Sequence, residues 1–365
     1  MSRNMTGRPL LRDEVRLRII KMISDEKMKS GERLLPEKEL GKFFGVNHLT
    51  VRAAYAELVE SNIVCKIPGK GTFFKGFPRE RLIAGNSLAG LIMLEEEHFF
   101  NLVRNQIVSE LQDAGFFCRC SSCSPNDDPS SMISQIQAMI DNNVNHLLII
   151  QTELEKSPET IKFLNASAHN FKSIIRLFGN QSSTAKIAGS NFSADYAGTF
   201  ASAIERFKAA GLRRIAYLCA NCAAGHPAAS ANRKFAAMYS EAMINAQLGE
   251  FISVRSCDIN INGDAVIKEL LSSDNPPEAV IGTNDYFAAR VLEIAHSLGL
   301  KIPADLSLIG RFDTPWSQHF DMASFRFPIK EFSLAVKNAV ISGENGLVSL
   351  FPMELVERNS IKEIK

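Results

Sequence analysis

No stretch of this 365-residue chain approaches the roughly 20 consecutive apolar residues that a membrane span needs. Nor does the N-terminus hold the compact apolar segment of a secretory signal. Both absences predict a cytoplasmic protein with no membrane partner. The cysteines number seven, an odd count that fits a reducing compartment better than a disulfide framework. Cys118, Cys120 and Cys123 fall in the run CRCSSC, and Cys219 and Cys222 form a second close pair. No His-x-x-x-His helix accompanies them. In a strand over FFCRC alternate positions share a face, so Cys118 and Cys120 read as small buried apolar groups, and no metal or cofactor is assigned. Glycine-rich phosphate loops, a Gly-x-Ser-x-Gly elbow and a His-Glu-x-x-His helix are also missing. Their absence leaves nucleotide chemistry, serine hydrolysis and zinc proteolysis without support.

What the chain does have is an uneven distribution of charge. The formal net charge is +1, yet residues 1–81 hold 17 of the 41 Lys and Arg and only 10 of the 40 Asp and Glu. A basic head on an acidic body points to a polyanionic partner for the head. The 45% hydrophobic and 22% charged composition is otherwise that of a globular protein, and the length suits two or three domains.

Helical spacing of Val15, Ile19, Met22 and Ile23 predicts a first helix, with Gly31 beyond its end. Pro36 opens a short second helix with Glu37 and Glu39 in its first turn, and Gly45 permits a tight turn. Asn47 is a good cap for a third helix whose stripe is Val51, Tyr55, Leu58 and Val59, leaving Thr50 and Arg52 outside. CKIPGKGTFF then reads as a hairpin with a basic tip. Helix, turn, helix and hairpin in this order make a winged helix-turn-helix, an α+β domain over residues 1–76. The polar start of its third helix suits the major groove, and Gly69, Lys70 and Gly71 suit a phosphate or the minor groove.

LLPEKELGKFFGVNHLTVRAAYAELVESNIVCKIPGKGTFF resembles the DNA-binding domain of GntR-type regulators. The resemblance implies contacts with double-stranded operator DNA at Lys38, Asn47, His48, Thr50, Arg52, Gly69 and Lys70. An alternative for Arg52 is an ion pair with Glu37 or Glu39 inside the domain. One departure is the run Leu34-Leu35-Pro36, which lacks the serine that the family usually places before its acidic turn.

Residues 77–86 lack periodicity and read as a linker. From residue 87 to 365, short apolar runs such as LAGLIML, HLLIIQ, SIIRLF, RRIAYLC, EAVIGT and LSLIG alternate with helical segments. That alternation predicts parallel sheets covered by helices, in two lobes with a ligand at the carboxyl ends of the strands. The succession ADYAGTFASAIERFKAAGLRRIAYL, SANRKFAAM and AVIGTNDYFAARVLEIAHSLGLKIPADLSLIGRFDT is similar to the effector domain of LacI/GalR-type repressors. This resemblance implies a periplasmic-binding-protein-like α/β domain with three crossing strands. It implies effector contacts at Glu96, Phe99, Asp195, Arg233, Asn284 and Lys330, the last near the final crossing. Where the family usually has Gly-Tyr-Asp-Asp, this chain has Gly310-Arg311-Phe312-Asp313, so Phe312 takes the place of an aspartate. Trp316, the only tryptophan, could stack on a sugar face or pack a hinge.

A GntR-type head on a LacI-type body resembles the arabinose-repressor-like regulators. That arrangement implies a homodimeric repressor, since palindromic operators mirror two-fold symmetry, answering to a sugar-like effector. Two alternatives are a small-molecule-binding protein with a non-regulatory DNA tether and an enzyme fused to a DNA-binding head.

Overall fold

The computed structural model describes residues 11–25, 28–60, 63–75, 87–94, 98–124, 127–155, 157–179, 186–221 and 229–364. They divide into two compact units, the first reaching to Ser87 and taking in Asp113–Phe117, the second formed by the rest. The linker expected over 77–86 lies outside the described residues.

The first unit runs α1 (Leu11–Asp25), α2 (Glu37–Phe44), α3 (His48–Glu60), β1 (Val64–Ile67), β2 (Gly71–Phe74). Val15, Ile19 and Ile23 of α1 meet Leu40 of α2 and Val51, Tyr55 and Leu58 of α3, with Ile63, Val64 and Phe74 closing the core. Val59 does not join them. It is 39% exposed, lying one residue past the edge of the stripe. Pro36 takes the N-cap of α2 and no side chain caps that helix, the consequence of the missing serine. Gly45 ends α2 with a φ of 68°, the left-handed conformation that glycine adopts without strain. Asn47 then caps α3, its Oδ1 accepting from the Leu49 amide at 2.9 Å. The two strands of the wing pair antiparallel from Val64↔Phe74 to Ile67↔Gly71.

The second unit contains two six-stranded sheets. One is ordered β13-β7-β6-β5-β3-β4, from β3 (Leu88–Leu94), β4 (Phe117–Cys123), β5 (His146–Ile150), β6 (Ser173–Leu177), β7 (Ser190–Ala194) and β13 (Val348–Phe351). The other is ordered β14-β12-β11-β10-β8-β9, from β8 (Ile215–Ala220), β9 (Ser253–Cys257), β10 (Ala279–Gly282), β11 (Ser307–Arg311), β12 (Ser324–Arg326) and β14 (Glu354–Val356). Pairing is parallel along both sheets, as in β3–β5–β6–β7 and β8–β10–β11–β12, while β12 and β14 run antiparallel. Buried apolar strands such as His146–Ile150 and Ala279–Gly282 explain the parallel order, since helices cover both of their faces.

Helices α4 (His98–Asp113), α5 (Pro129–Asp141), α6 (Gln151–Leu154), α7 (Pro158–Ser167) and α13 (Ile329–Ser342) belong with the first sheet. With the second go α8 (Tyr196–Ala209), α9 (Ala229–Asn245), α10 (Gly263–Leu271), α11 (Asp285–Ser297) and α12 (Pro315–His319). Among the described residues the chain passes between lobes three times: from β7 to α8, from β12 to α13, and from β13 to β14. Lys330 therefore stands at the second crossing rather than the last, because the short, partly exposed β13 and β14 supply a third that periodicity does not reveal.

Candidate functional site

A groove of about 680 Å³ opens between the start of α3 and the wing. Arg33, Lys38, His48, Arg52, Lys66, Gly69 and Lys70 line it together with Glu37 and Glu39. The wing tip is a turn in which the Lys70 amide donates to Ile67 O at 3.0 Å. Pro68 and Gly69 are its central residues, and Gly69 has a φ of 74°, the pattern of a type II turn. That geometry leaves the Lys70 side chain exposed at the tip. Asn47 and Thr50 lie at the same end of α3, Asn47 exposed and engaged as its cap, Thr50 half-buried.

Glu37 organises the cations around this groove. Its Oε2 accepts from Arg52 Nε at 2.8 Å and its Oε1 from Lys66 Nζ at 2.7 Å. Burial alone would raise the Glu37 carboxyl, but the hydrogen bonds and charges of Lys66 and Arg52 hold it below the usual carboxylate range. One carboxylate thus ties an arginine of α3 to a strand of the wing. The intradomain pairing of Arg52 is present in this structure, alongside its position at the groove.

In the second unit the lobes face each other across an aromatic floor. Phe99 of the first lobe, 2% exposed, stacks on Phe312 of the second at a centroid distance of 3.9 Å and 13° between planes. Phe178 and Phe327 meet the Phe99 ring edge-on, and Phe332 and Phe351 extend the cluster. Phe312 adopts a φ of 92°, a left-handed conformation unusual for an aromatic residue. Its neighbours over-determine that loop. Asp285, fully buried, accepts from the Thr314 amide at 2.6 Å, from Thr314 Oγ1 at 2.8 Å and from Ser324 Oγ at 2.5 Å. Asp313 accepts from Arg326 Nε at 2.8 Å and Arg358 Nη2 at 2.6 Å. Burial pushes the Asp285 carboxyl up to about 6, with the charge of Asp313 adding to it and the hydrogen bonds from Ser324 and Thr314 opposing. A second link between the lobes is the ion pair of Lys234 Nζ on α9 with Glu155 Oε2, at 2.6 Å.

The other expected effector residues fall at varied places. Asp195 is the N-cap of α8, its Oδ1 accepting from the Gly198 amide at 2.9 Å. Asn284 caps α11 by accepting from the Phe287 amide at 3.1 Å. Arg233 is exposed on α9, and Lys330 is exposed at the start of α13. Trp316 is 44% exposed, parallel to Phe320 and tilted against Tyr286. Glu96 lies outside the described residues. Cys118 is half-buried and Cys120 exposed, which departs from the expectation that both are covered: β4 is the edge strand of its sheet. Burial nonetheless pushes the Cys118 thiol up to about 12, with the neighbouring Cys120 adding to the effect.

Arg311 is the residue that the sequence did not single out. It is 6% exposed at the end of β11, and its guanidinium carbon lies 4.9 Å from the Tyr196 ring, 4.9 Å from Phe235 and 5.0 Å from Phe312.

Comparison with known proteins agrees with this architecture. Residues 11–74 match the bacterial regulatory proteins of the gntR family, and residues 204–361 match the periplasmic binding protein-like domain. Over 83 residues the chain is 29% identical to the probable HTH-type transcriptional repressor ExuR of Bacillus subtilis (strain 168), covering 22% of this chain and 25% of that protein. The match thus spans about a quarter of that relative's length. Among solved structures, a LacI transcriptional regulator from a Rhodococcus species superposes with a TM-score of 0.62 at 20% identity, over 76% of this chain and 99% of that one. A LacI family regulator CCPA from Weissella paramesenteroides with bound sucrose gives 0.62 at 15% identity, over 76% and 100%. The lac repressor dimer bound to operator and an anti-inducer gives 0.65 at 16% identity, over 79% and 99%. At these identities the likeness establishes the fold. The chain carries a GntR-type winged helix at its N-terminal end and a two-lobed, periplasmic-binding-protein-like α/β domain after it.

Proposed function

We propose that this protein is a ligand-responsive transcriptional repressor, a homodimer that holds operator DNA through the winged helix and a small sugar-like effector between the lobes. The observation that carries the reading is the groove in which five cations, Arg33, Lys38, Arg52, Lys66 and Lys70, face two carboxylates beside the exposed end of α3. In the proposal His48, Asn47, Thr50 and Arg52 meet base edges, and Lys38, Gly69 and Lys70 meet phosphate. The domain boundaries 1–76, 77–86 and 87–365 belong to the same reading. A regulator of this kind works where the chromosome is, which places it in the cytoplasm, and it needs no catalysis, metal or cofactor.

For the effector, Phe99 and Phe312 provide an apolar floor, and Asp195, Arg233, Asn284, Trp316, Lys330 and Glu96 are the polar and aromatic groups assigned around it. Support comes from structural neighbours with sucrose, glucose or D-xylulofuranose bound. Lobe closure on the effector would alter the geometry that the dimer imposes on its two heads, and so its affinity for operator. The test is selection of bound duplexes from a random pool by the full-length protein. A two-fold symmetric sequence is expected; recovery of random sequence alone would favour the non-regulatory tether instead.

A further inference from the structure

The Arg311 site asks for a partner that the described protein does not supply. A guanidinium carries five N–H donors and a full positive charge, and burying it without an anion is costly. Arg311 makes one long hydrogen bond, from Nη2 to Thr283 Oγ1 at 3.3 Å, and its Nε–H is buried with no acceptor among the described residues. The rings of Tyr196, Phe235 and Phe312 attract the cation through their faces but accept no in-plane hydrogen bond. Nearby carboxylates are engaged elsewhere. Asp285 holds Thr314 and Ser324, Asp313 holds Arg326 and Arg358, and Glu155 holds Lys234 and Gln151. No ion pair to Arg311 forms among the described residues. The cage also lies at the seam between the lobes, since Phe312 is the ring that stacks on Phe99 of the opposite lobe.

We propose that the effector is a monocarboxylate, a polyol or sugar acid whose carboxylate is held by Arg311 within the Tyr196–Phe235–Phe312 cage. The inference rests on the reading of the cleft as an effector site and narrows its ligand from sugar-like to anionic. A planar carboxylate matches the guanidinium fork in shape and charge. A phosphate would bring further oxygens and a second charge against a surround made mostly of aromatic rings, with Arg311 as the one cation of the cage.

The test uses the full-length protein with D-gluconate and D-glucuronate, with D-glucose as the neutral parent, with glucose 6-phosphate, and with acetate alone. Melting temperature, calorimetry and the Arg311 Nε–H resonance are the readouts. At least one sugar acid should raise the melting temperature and move the Nε–H resonance saturably, while D-glucose at equal concentration does neither. Arg311→Gln should weaken that sugar acid at least tenfold, and Arg311→Lys, which keeps the charge but loses the fork, should recover only part of the loss. The melting temperature of each variant without ligand checks that it is folded. D-glucose or glucose 6-phosphate binding more tightly than the acids would overturn the proposal, as would an Nε–H resonance that no carboxylate moves, acetate included. Sugar-acid binding without any change in operator affinity would leave the carboxylate assignment standing and remove the regulatory reading instead.

Discussion

Replacing Lys70 with alanine isolates the electrostatic part of DNA binding. The side chain sits exposed at the wing tip, held there by the Ile67–Lys70 turn, and joins no ion pair among the described residues. Arg52 and Lys66, by contrast, already share the carboxylate of Glu37. Lys70 therefore has its full charge to offer a phosphate. Each neutralised phosphate contributes about 0.9 to the slope of log affinity against log salt, so the variant's slope should be shallower by about that amount. Between about 50 and 200 mM salt, a fourfold range, one contact accounts for roughly a 3.5-fold share of the fall in affinity. Because phosphates carry no sequence information directly, operator and random duplexes should lose affinity by a similar factor. Fluorescence anisotropy titrations on both duplexes across a salt series measure slope and affinity together. A loss confined to the operator, with the slope unchanged, would refute the phosphate role and make Lys70 a base contact.

Further expectations follow from other parts of the structure. Glu37→Gln removes the negative charge that both Arg52 and Lys66 share and one of its two accepting oxygens, so non-specific affinity should rise while discrimination between operator and random DNA falls; competition binding reads both. Gly71 has a φ of 122° and a built Cβ would lie 2.8 Å from Arg33 Nε, so Gly71→Ala should destabilise the winged helix by about 1–2 kcal/mol, measured by its denaturation midpoint. Asp285→Asn should alter the pH dependence of stability. A carboxyl raised from 3.8 to about 6 favours the fold most below its unfolded value. That contribution is lost as pH climbs through about 6, amounting to about 3 kcal/mol over the window. The melting temperature of the variant should therefore gain on that of the parent between pH 4 and 6 and hold a constant offset above pH 7. An offset independent of pH throughout would contradict it.

How much of this was legible in the sequence varied with how local the signal was. The head was readable because each of its devices acts over a few residues: the Asn47 cap, the turn at Gly45 and the Pro68-Gly69 wing tip. The parallel strands of both lobes were visible as short apolar runs. β7 was not, since Ser-Asn-Phe-Ser-Ala reads as polar; it is buried because Ser190 donates to Glu344 O and accepts from the Leu347 amide. The edge strand β9 was hidden because its half-covered faces blur the alternation, and at the edge strand β4, legible as a strand, the same half-cover leaves Cys118 and Cys120 less buried than its apolar run suggests. Phe312 stood out as a substitution for an expected aspartate, while nothing in the sequence marks Arg311 beside it. Only packing brings together Tyr196, Phe235 and Phe312, which lie on three segments far apart in the chain.

Coupling between the two domains is the central claim, and thermodynamic reciprocity tests it without assuming whether the effector releases or strengthens DNA binding. The measurement is the affinity of the full-length protein for its effector by calorimetry, once alone and once saturated with operator duplex, beside the affinity for operator with and without saturating effector. If one molecule links the two events, both ratios must depart from unity by the same factor, typically about 5- to 150-fold. The account predicts equal ratios in that range. An effector that binds equally well in the presence and absence of operator would contradict it and leave a DNA-tethered binding protein in its place.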